Sequence, residues 1–267
     1  VTLRWPHPIW WETIRVAAMR TRVYRVSMIF GLISMALQLY LLRTVWEAVY
    51  GSRESLEGIG QQQLLVYLSI SALQRITLPG EISREIDDRV STGQVAGDLV
   101  RPFSFMKQMV ARQLGSSLGF SIWYVAAIPM ALLIGSLRLP GPANLAAYAL
   151  SFVLAYAINL LIWLLVGMAS FWLLNGGGLR AMVDMTSGLL SGLVVPLWFM
   201  PGWMQPVVEV LPFQAANFLP ASIFAGQVSG SEMIQPLLVQ AFWIAALLVF
   251  AAWVWSRAQR KLVIQGG

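Results

Sequence analysis

No cysteine occurs anywhere in the chain, and there is a single histidine, His7. Disulfides and thiolate chemistry are thereby excluded, as is a bis-histidine haem or a histidine-rich metal site within one copy. Charge is also scarce: 11% of residues are charged, against about 25% in a soluble domain. Lysine nearly vanishes, with 2 residues beside 16 arginines. The phosphate-binding pattern G-x-x-x-x-G-K-[ST] is missing. The nearest glycine cluster, "NGGGLR" at 175–180, lacks the Lys-Ser/Thr pair and reads as a turn between helices. No short apolar core with a small-residue cleavage site opens the sequence, so no signal peptide is expected. Internal repeats and low-complexity tracts are not found.

What the chain does have is oil. Hydrophobic residues make up 58% of it and the mean hydropathy is +0.68. Six apolar runs, at about 26–46, 61–79, 114–136, 145–173, 181–200 and 236–256, approach the ~20 residues that cross ~30 Å of hydrocarbon at 1.5 Å per residue. The expected fold is an all-α membrane protein, one transmembrane domain over residues 1–267 with six spans. Ahead of the first span, Trp10, Ile14, Ala17, Thr21 and Tyr24 share a helical face while Glu12, Arg15 and Arg22 point elsewhere. That pattern predicts a helix over 8–25 lying in the membrane interface. Trp198, Trp203, Trp243, Trp253 and Trp255 fall near span ends, as in aromatic belts.

The formal charge of +6 does not call for nucleic acid, because the decisive matter is which loops hold it. Six spans would leave only Arg43, Arg53 and Arg138 on one side and the other 15 of 18 basic residues on the opposite side. By the positive-inside rule both termini are expected in the cytoplasm. An arginine-dominated, Ala/Leu/Val/Gly-rich composition points to a bacterium with a GC-rich genome, hence its cytoplasmic (inner) membrane.

One compact charged island interrupts the apolar sequence: "GEISREIDDRVSTGQVAGDLVRPFSFMKQMVARQLG", residues 80–115. Ile82, Ile86 and Val90 recur every four residues with charge around them, which predicts an amphipathic helix ended at Thr92-Gly93. "QVAGDLVRP" reads as an irregular connector, since Pro102 disfavours helix at Arg101. Ser104 is placed to cap a second helix. Charges of both signs beside an apolar stripe suit a protein partner better than a lipid surface; a solvated loop is the plainer reading.

The island resembles the cytoplasmic segment of type-2 ABC exporter permeases: an acidic helix, a glycine, the "DLVRP" elbow at 98–102, then a polar helix entering the third span. "LLSGLVVPLWFMPGWMQPVVEVLPFQAANFLPASIFAG", residues 189–226, resembles that family's fifth span followed by short extracellular helices. The resemblance implies a permease without ATPase activity of its own. A separate ATP-binding subunit would bind ATP and Mg, and a second permease, identical or paralogous, would complete the pathway amid membrane lipids. It implies ATPase-subunit docking through Glu81, Arg84, Glu85, Asp87, Asp88 and Arg89 as a coupling helix, with Asp98, Arg101 and Pro102 as its elbow and helix 8–25 as a second contact.

Polar residues inside spans are further candidates. Gln38 and Gln74 either line a pathway or hydrogen-bond between helices; Asn159 lies midway in the fourth span. Asp184 either pairs with Arg180, four residues earlier, or serves translocation. Glu209, in the apolar stretch "VVEVL", either helps to gate an extracellular exit or faces water. Three other classes compete. A secondary carrier more usually shows inverted repeats or buried ionisable pairs; an intramembrane serine protease needs a histidine in the membrane; a membrane anchor or assembly protein is compatible with all of these residues.

Overall fold

A computed structural model describes residues 9–99, 103–134, 137–173 and 176–265. The chain runs α1 (Ile9–Arg20), a 3-10 turn (Thr21–Tyr24) and α2 (Arg25–Tyr50). A two-stranded antiparallel ribbon follows, β1 (Ser55–Leu56) and β2 (Ile59–Gly60), so among the described residues the all-helical expectation fails only at this small hairpin. Then come α3 (Gln61–Thr77), α4 (Glu81–Ser91), α5 (Gln94–Leu99), α6 (Phe105–Leu133) and α7 (Pro142–Met168). The last part holds α8 (Gly177–Leu190), the short α9 (Gln205–Glu209), α10 (Pro212–Ala216) and α11 (Phe218–Phe224), and the long α12 (Ile234–Gln265).

Among the described residues three helices are long and apolar enough to cross a membrane, Val26–Tyr50, Pro142–Phe171 and Gly230–Lys261. A bent pair, Phe105–Ser121 and Val125–Leu133, makes a fourth if taken as one span. The 56° bend comes one turn before Pro129, whose ring opposes the carbonyl of Val125 and supplies no N–H. The second and fifth expected spans are shorter helices of 17 and 14 residues, about 25 and 21 Å long at 1.5 Å per residue. The fifth expected run, 181–200, breaks because Gly192 adopts φ 75°. Tyr67 Oη donates to its carbonyl at 2.7 Å, and a Cβ at Gly192 would lie 2.7 Å from that hydroxyl.

α7 is the central post. Its N-terminus starts at a proline, where the missing N–H costs nothing, and α4, α10, α11 and α12 all pack on it. Ile158 and Met168 of α7 share one core with Ile82, Ile86, Phe105 and Met109. A second core joins Leu39 of α2, Leu64 and Tyr67 of α3, and Ala127 and Ala131 of α6. Polar clamps cross these apolar layers, as they must where no water offers a substitute partner. Gln240 of α12, fully buried, donates to the carbonyls of Ser151 (3.0 Å) and Ala215 (2.9 Å) and accepts from Ser151 Oγ (2.9 Å). Asn144 Nδ2 donates to the carbonyls of Ile223 and Val228 and so ties the short helices to the start of α7.

Not all tryptophans form a belt. Trp198 sits edge-on to Tyr67 and Phe218, and Trp255 stacks on Phe105, so both belong to the interior. Trp203 and Trp253 are exposed. Outward faces of α2 (Phe30, Ile33, Leu37) and α12 (Phe242, Val249) present large apolar side chains, the surface expected of helices that meet lipid or a second membrane subunit.

The N-terminal helix buries the face the sequence indicates at Ile14, Ala17 and Thr21, while Tyr24 is exposed. That face lies on α6. Gly115 and Gly119 of α6 make the approach feasible: a Cβ at Gly115 would stand 2.3 Å from the Ile14 carbonyl oxygen, and one at Gly119 2.3 Å from Thr21 Oγ1. Small residues four apart let two helix backbones meet closely. Gly115→Leu is therefore expected to push α1 off α6 and to destabilise the protein by about 1–3 kcal/mol. Thermal unfolding of the purified variant, with proteolysis at Arg15 and Arg20 as a local readout, measures this; an unchanged melting curve and cleavage rate would contradict the seam.

Candidate functional site

The charged island folds as three consecutive helices. α4 carries Glu81 in its first turn and Arg89 in its last, each favourable toward the helix dipole. It stops where expected: Thr92 and Gly93 donate to the carbonyls of Asp88 and Val90, and Gly93 takes φ 73°. The stretch read as an irregular connector contains α5, one and a half turns that bury Val95 and Asp98. Proline restricts only the residue before it, so Pro102 leaves 94–99 free to be helical. α6 then begins at Phe105 and runs on without interruption toward the third expected span. Ser104 stands at its N-cap position, but its side chain makes no capping hydrogen bond.

Ile82 and Ile86, with Ser83 between them, press α4 against α7 and are buried. Gly167 of α7 permits the contact, since a Cβ there would stand 2.9 Å from the Ser83 Cα and 3.0 Å from Ile86 Cδ1. Beside this seat, Asp87 faces the beginning of α8. Its Oδ1 accepts from the Gly176 backbone N–H at 3.3 Å and its Oδ2 pairs with Arg180 Nη2 at 3.2 Å. An anion at a helix N-terminus is favourable there. Arg180 thus pairs across the fold with Asp87, and the local Arg180–Asp184 pair expected from i, i+4 spacing does not form.

Glu85 and Arg89 turn toward α5 and α6. Arg112 Nη1 donates to Glu85 Oε1 at 3.0 Å, and Arg89 Nη2 donates to the same oxygen at 3.2 Å. Arg89 also pairs with Asp98. The side chains of Arg89 and Asp98 are only 14% and 3% exposed and that of Asp87 16%, whereas Glu81 and Arg84 are 65% and 61% exposed. The island therefore has two populations. Glu85, Asp87, Arg89 and Asp98 tie α4 to α5, α6 and α8. Glu81, Arg84 and Asp88 face outward. Arg101 and Pro102 lie outside the described residues.

The outward side of α4 forms one wall of a groove of about 1060 Å³. α1 forms the opposite wall with Glu12, Thr13 and Arg20, and α6 closes the floor with Arg112 and Ser116. Trp10 packs edge-on to Phe103, ahead of α6, at 6.2 Å. The two segments expected to touch a partner, helix 8–25 and the island, thus face a single groove with exposed charges of both signs. Such a surface suits a polar protein segment. Among the described residues no three His, Cys, Asp or Glu converge on a metal position.

The candidate pathway residues are not brought together. Gln38 is half-buried on α2. Gln74 is buried within α3 beside Tyr148. Asp184 is exposed on α8 and lines a cavity of about 200 Å³ with Arg75, Asn159 and Asn217. Glu209 is exposed at the end of α9, where its backbone carbonyl accepts from Gln214 Nε2 at 2.7 Å. Sequence reasoning missed the Gln240–Ser151 clamp and the Gly115/Gly119 seam. The signals were available: polar residues inside apolar runs, and a G-x-x-x-G spacing at 115–119.

The profile of the family described as "ABC-2 family transporter protein" matches residues 24–266. No curated protein and no solved structure matches the chain.

The division of the island into tied and outward residues can be measured. Asp98→Ala leaves Arg89 without one of its two carboxylates and is expected to cost on the order of 3 kcal/mol. Glu81→Ala on the exposed side should stay within about 0.5 kcal/mol of the parent. Unfolding titrations in mixed micelles give both values. Equal losses would contradict the division.

Proposed function

The chain belongs to the ABC-2 transporter family, and from that premise we propose that it is the membrane-spanning permease subunit of an ATP-driven exporter. A separate ATP-binding subunit supplies ATP and Mg, and a second permease, identical or paralogous, forms the other half of the pathway. The observation that carries this reading is the α1/α4 groove. Its outer residues Glu81 and Arg84, paired with each other at 3.7 Å, and Asp88 are exposed to a partner, while the rest of the same helix is fastened to α6, α7 and α8.

In this reading six helices cross the bacterial inner membrane: α2, α3, α6, α7, α8 and α12. Both termini and the groove are cytoplasmic, in keeping with the 15 to 3 distribution of basic residues. The shorter α3 and α8 are completed at the outer side by turns and by the short helices α9, α10 and α11. Those short helices, with Glu209 exposed, would sit at the extracellular exit. ATP binding in the partner displaces α4, and the Asp87–Arg180 pair passes that displacement to α8. Moving such an equilibrium from 1:99 to 99:1 takes roughly 5.5 kcal/mol of differential binding, so the groove must hold its partner firmly in at least one state. The exposed apolar faces of α2 and α8, with Met182 and Met185 on the latter, suit contact with the second permease.

Two experiments test this. Charge reversal at the outward positions, Glu81→Lys with Asp88→Lys, is expected to abolish co-purification of the ATP-binding subunit and to cut export at least ten-fold. The melting temperature should stay unchanged, because neither side chain belongs to the buried network. Normal docking and export by this variant would remove the groove from the mechanism. For orientation, a cysteine at Asp88 should be labelled only from the cytoplasmic side and one at Ser229 only from outside; the reverse pattern would overturn the topology.

A further inference from the structure

A second polar site lies apart from the groove. Helix α10 and Asn217, which follows it, meet α3, α7 and α8 around the cavity of about 200 Å³. Six of the side chains that line it are Arg75, Asn159, Trp163, Asp184, Phe213 and Asn217. Asn217 is 3% exposed, its Nδ2 donates to the Ser191 carbonyl at 3.4 Å, and its Oδ1 has no hydrogen-bond partner. The Oδ1 of Asn159 is buried and unpartnered in the same way. Buried acceptors left unmade are costly, and these two belong to residues that border the same cavity. Arg75 and Asp184 bring opposite charges to the same cavity. Neither has an ion-pair partner among the described residues, since Arg180 is held by Asp87.

We infer that this cavity is a binding site for a compact zwitterion, a primary ammonium next to a phosphate or carboxylate. An ammonium offers three donors and no acceptor, which answers the two amide oxygens and the Asp184 carboxylate. Trp163 and Phe213 line the same cavity, and aromatic rings attract a cation set over their faces. The anionic end is answered by Arg75, whose guanidinium matches a phosphate or carboxylate with two parallel hydrogen bonds. A bare anion would meet Asp184 and two amide oxygens, and a bare cation would meet Arg75. The volume admits a head group but no acyl chain, so a lipid bound here would keep its tails in the bilayer. The source of the zwitterion is thus either a membrane-lipid head group or a small soluble molecule. That the site handles cargo rests on the permease reading; that it binds does not.

The test uses the purified full chain in detergent, followed by titration calorimetry. The probes are O-phosphoethanolamine, dihexanoyl-phosphatidylethanolamine, inorganic phosphate and ethanolamine. At least one zwitterion is expected to bind saturably at one site per chain, at least ten-fold tighter than phosphate or ethanolamine alone. Asp184→Asn and Arg75→Gln should each weaken it ten-fold or more. Both residues are exposed and unpaired, so neither substitution threatens the fold. Tighter binding of the short-chain lipid assigns the head-group source; equal or tighter binding of phosphoethanolamine assigns the soluble one. Absence of saturable zwitterion binding, phosphate binding as tight as that of the zwitterions, or binding that survives both substitutions would overturn the inference. No ATP-binding subunit is present in this assay, so a negative result leaves the permease reading standing. A failed co-purification, conversely, leaves the cavity's binding untouched.

Discussion

The close approach of α4 to α7 at Gly167 is the contact on which the remaining charged architecture depends. With no Cβ in the way, Ser83 and Ile86 lie directly on the α7 backbone. That seat fixes the rotation of α4, and the rotation decides where each charge goes. Asp87 arrives at the start of α8, Glu85 at Arg112 of α6, and Arg89 at Asp98 of α5. One short amphipathic helix is thereby tied to four others. What remains of its surface, Glu81, Arg84 and Asp88, faces the groove shared with α1.

A helix so tied has a definite mechanical character. Buried or half-buried ion pairs are poor sources of net stability, because desolvation offsets most of the attraction, yet removing one partner is expensive. They therefore specify geometry more than they add free energy. Here they oblige α4, α5 and the start of α6 to move together, and the Asp87–Arg180 pair extends the same obligation to α8. Such a chain of packed helices and ion pairs links the wall of the groove to α8.

The sequence displayed some of this arrangement and hid the rest, for identifiable reasons. The stripe Ile82, Ile86 and Val90 was legible because helical periodicity is local, and it faces the core at Ile82 and Ile86. The stop at Gly93 was legible for the same reason. The grouping of Asp87 with Arg180 was not: they stand 93 residues apart, and the i, i+4 neighbour Asp184 was the nearer candidate. Helix α5 was hidden because proline's influence was extended beyond the single residue it governs. The shortness of α8 was hidden because 181–200 is uncharged except for Asp184 and mostly apolar, and hydropathy does not register the backbone turn that Tyr67 holds at Gly192. In the candidate site, helix 8–25 and the charged amphipathic helix that face one another across the groove followed from pattern. The inward half of the same charged helix could be told apart from the outward half only once its neighbours were placed.

Gln240 has a consequence for how the chain is made. Its amide finds partners on α7 and α10, and it stands on α12, which follows both of them in the chain. Until α12 arrives, the hydroxyl of Ser151 and the carbonyl of Ala215 await the amide that completes them. Once inserted, α12 cannot rest alone in lipid without an exposed amide. Synthesis order and polar satisfaction thus point the same way: α12 acts as a latch that holds only when α7 and α10 are already in place.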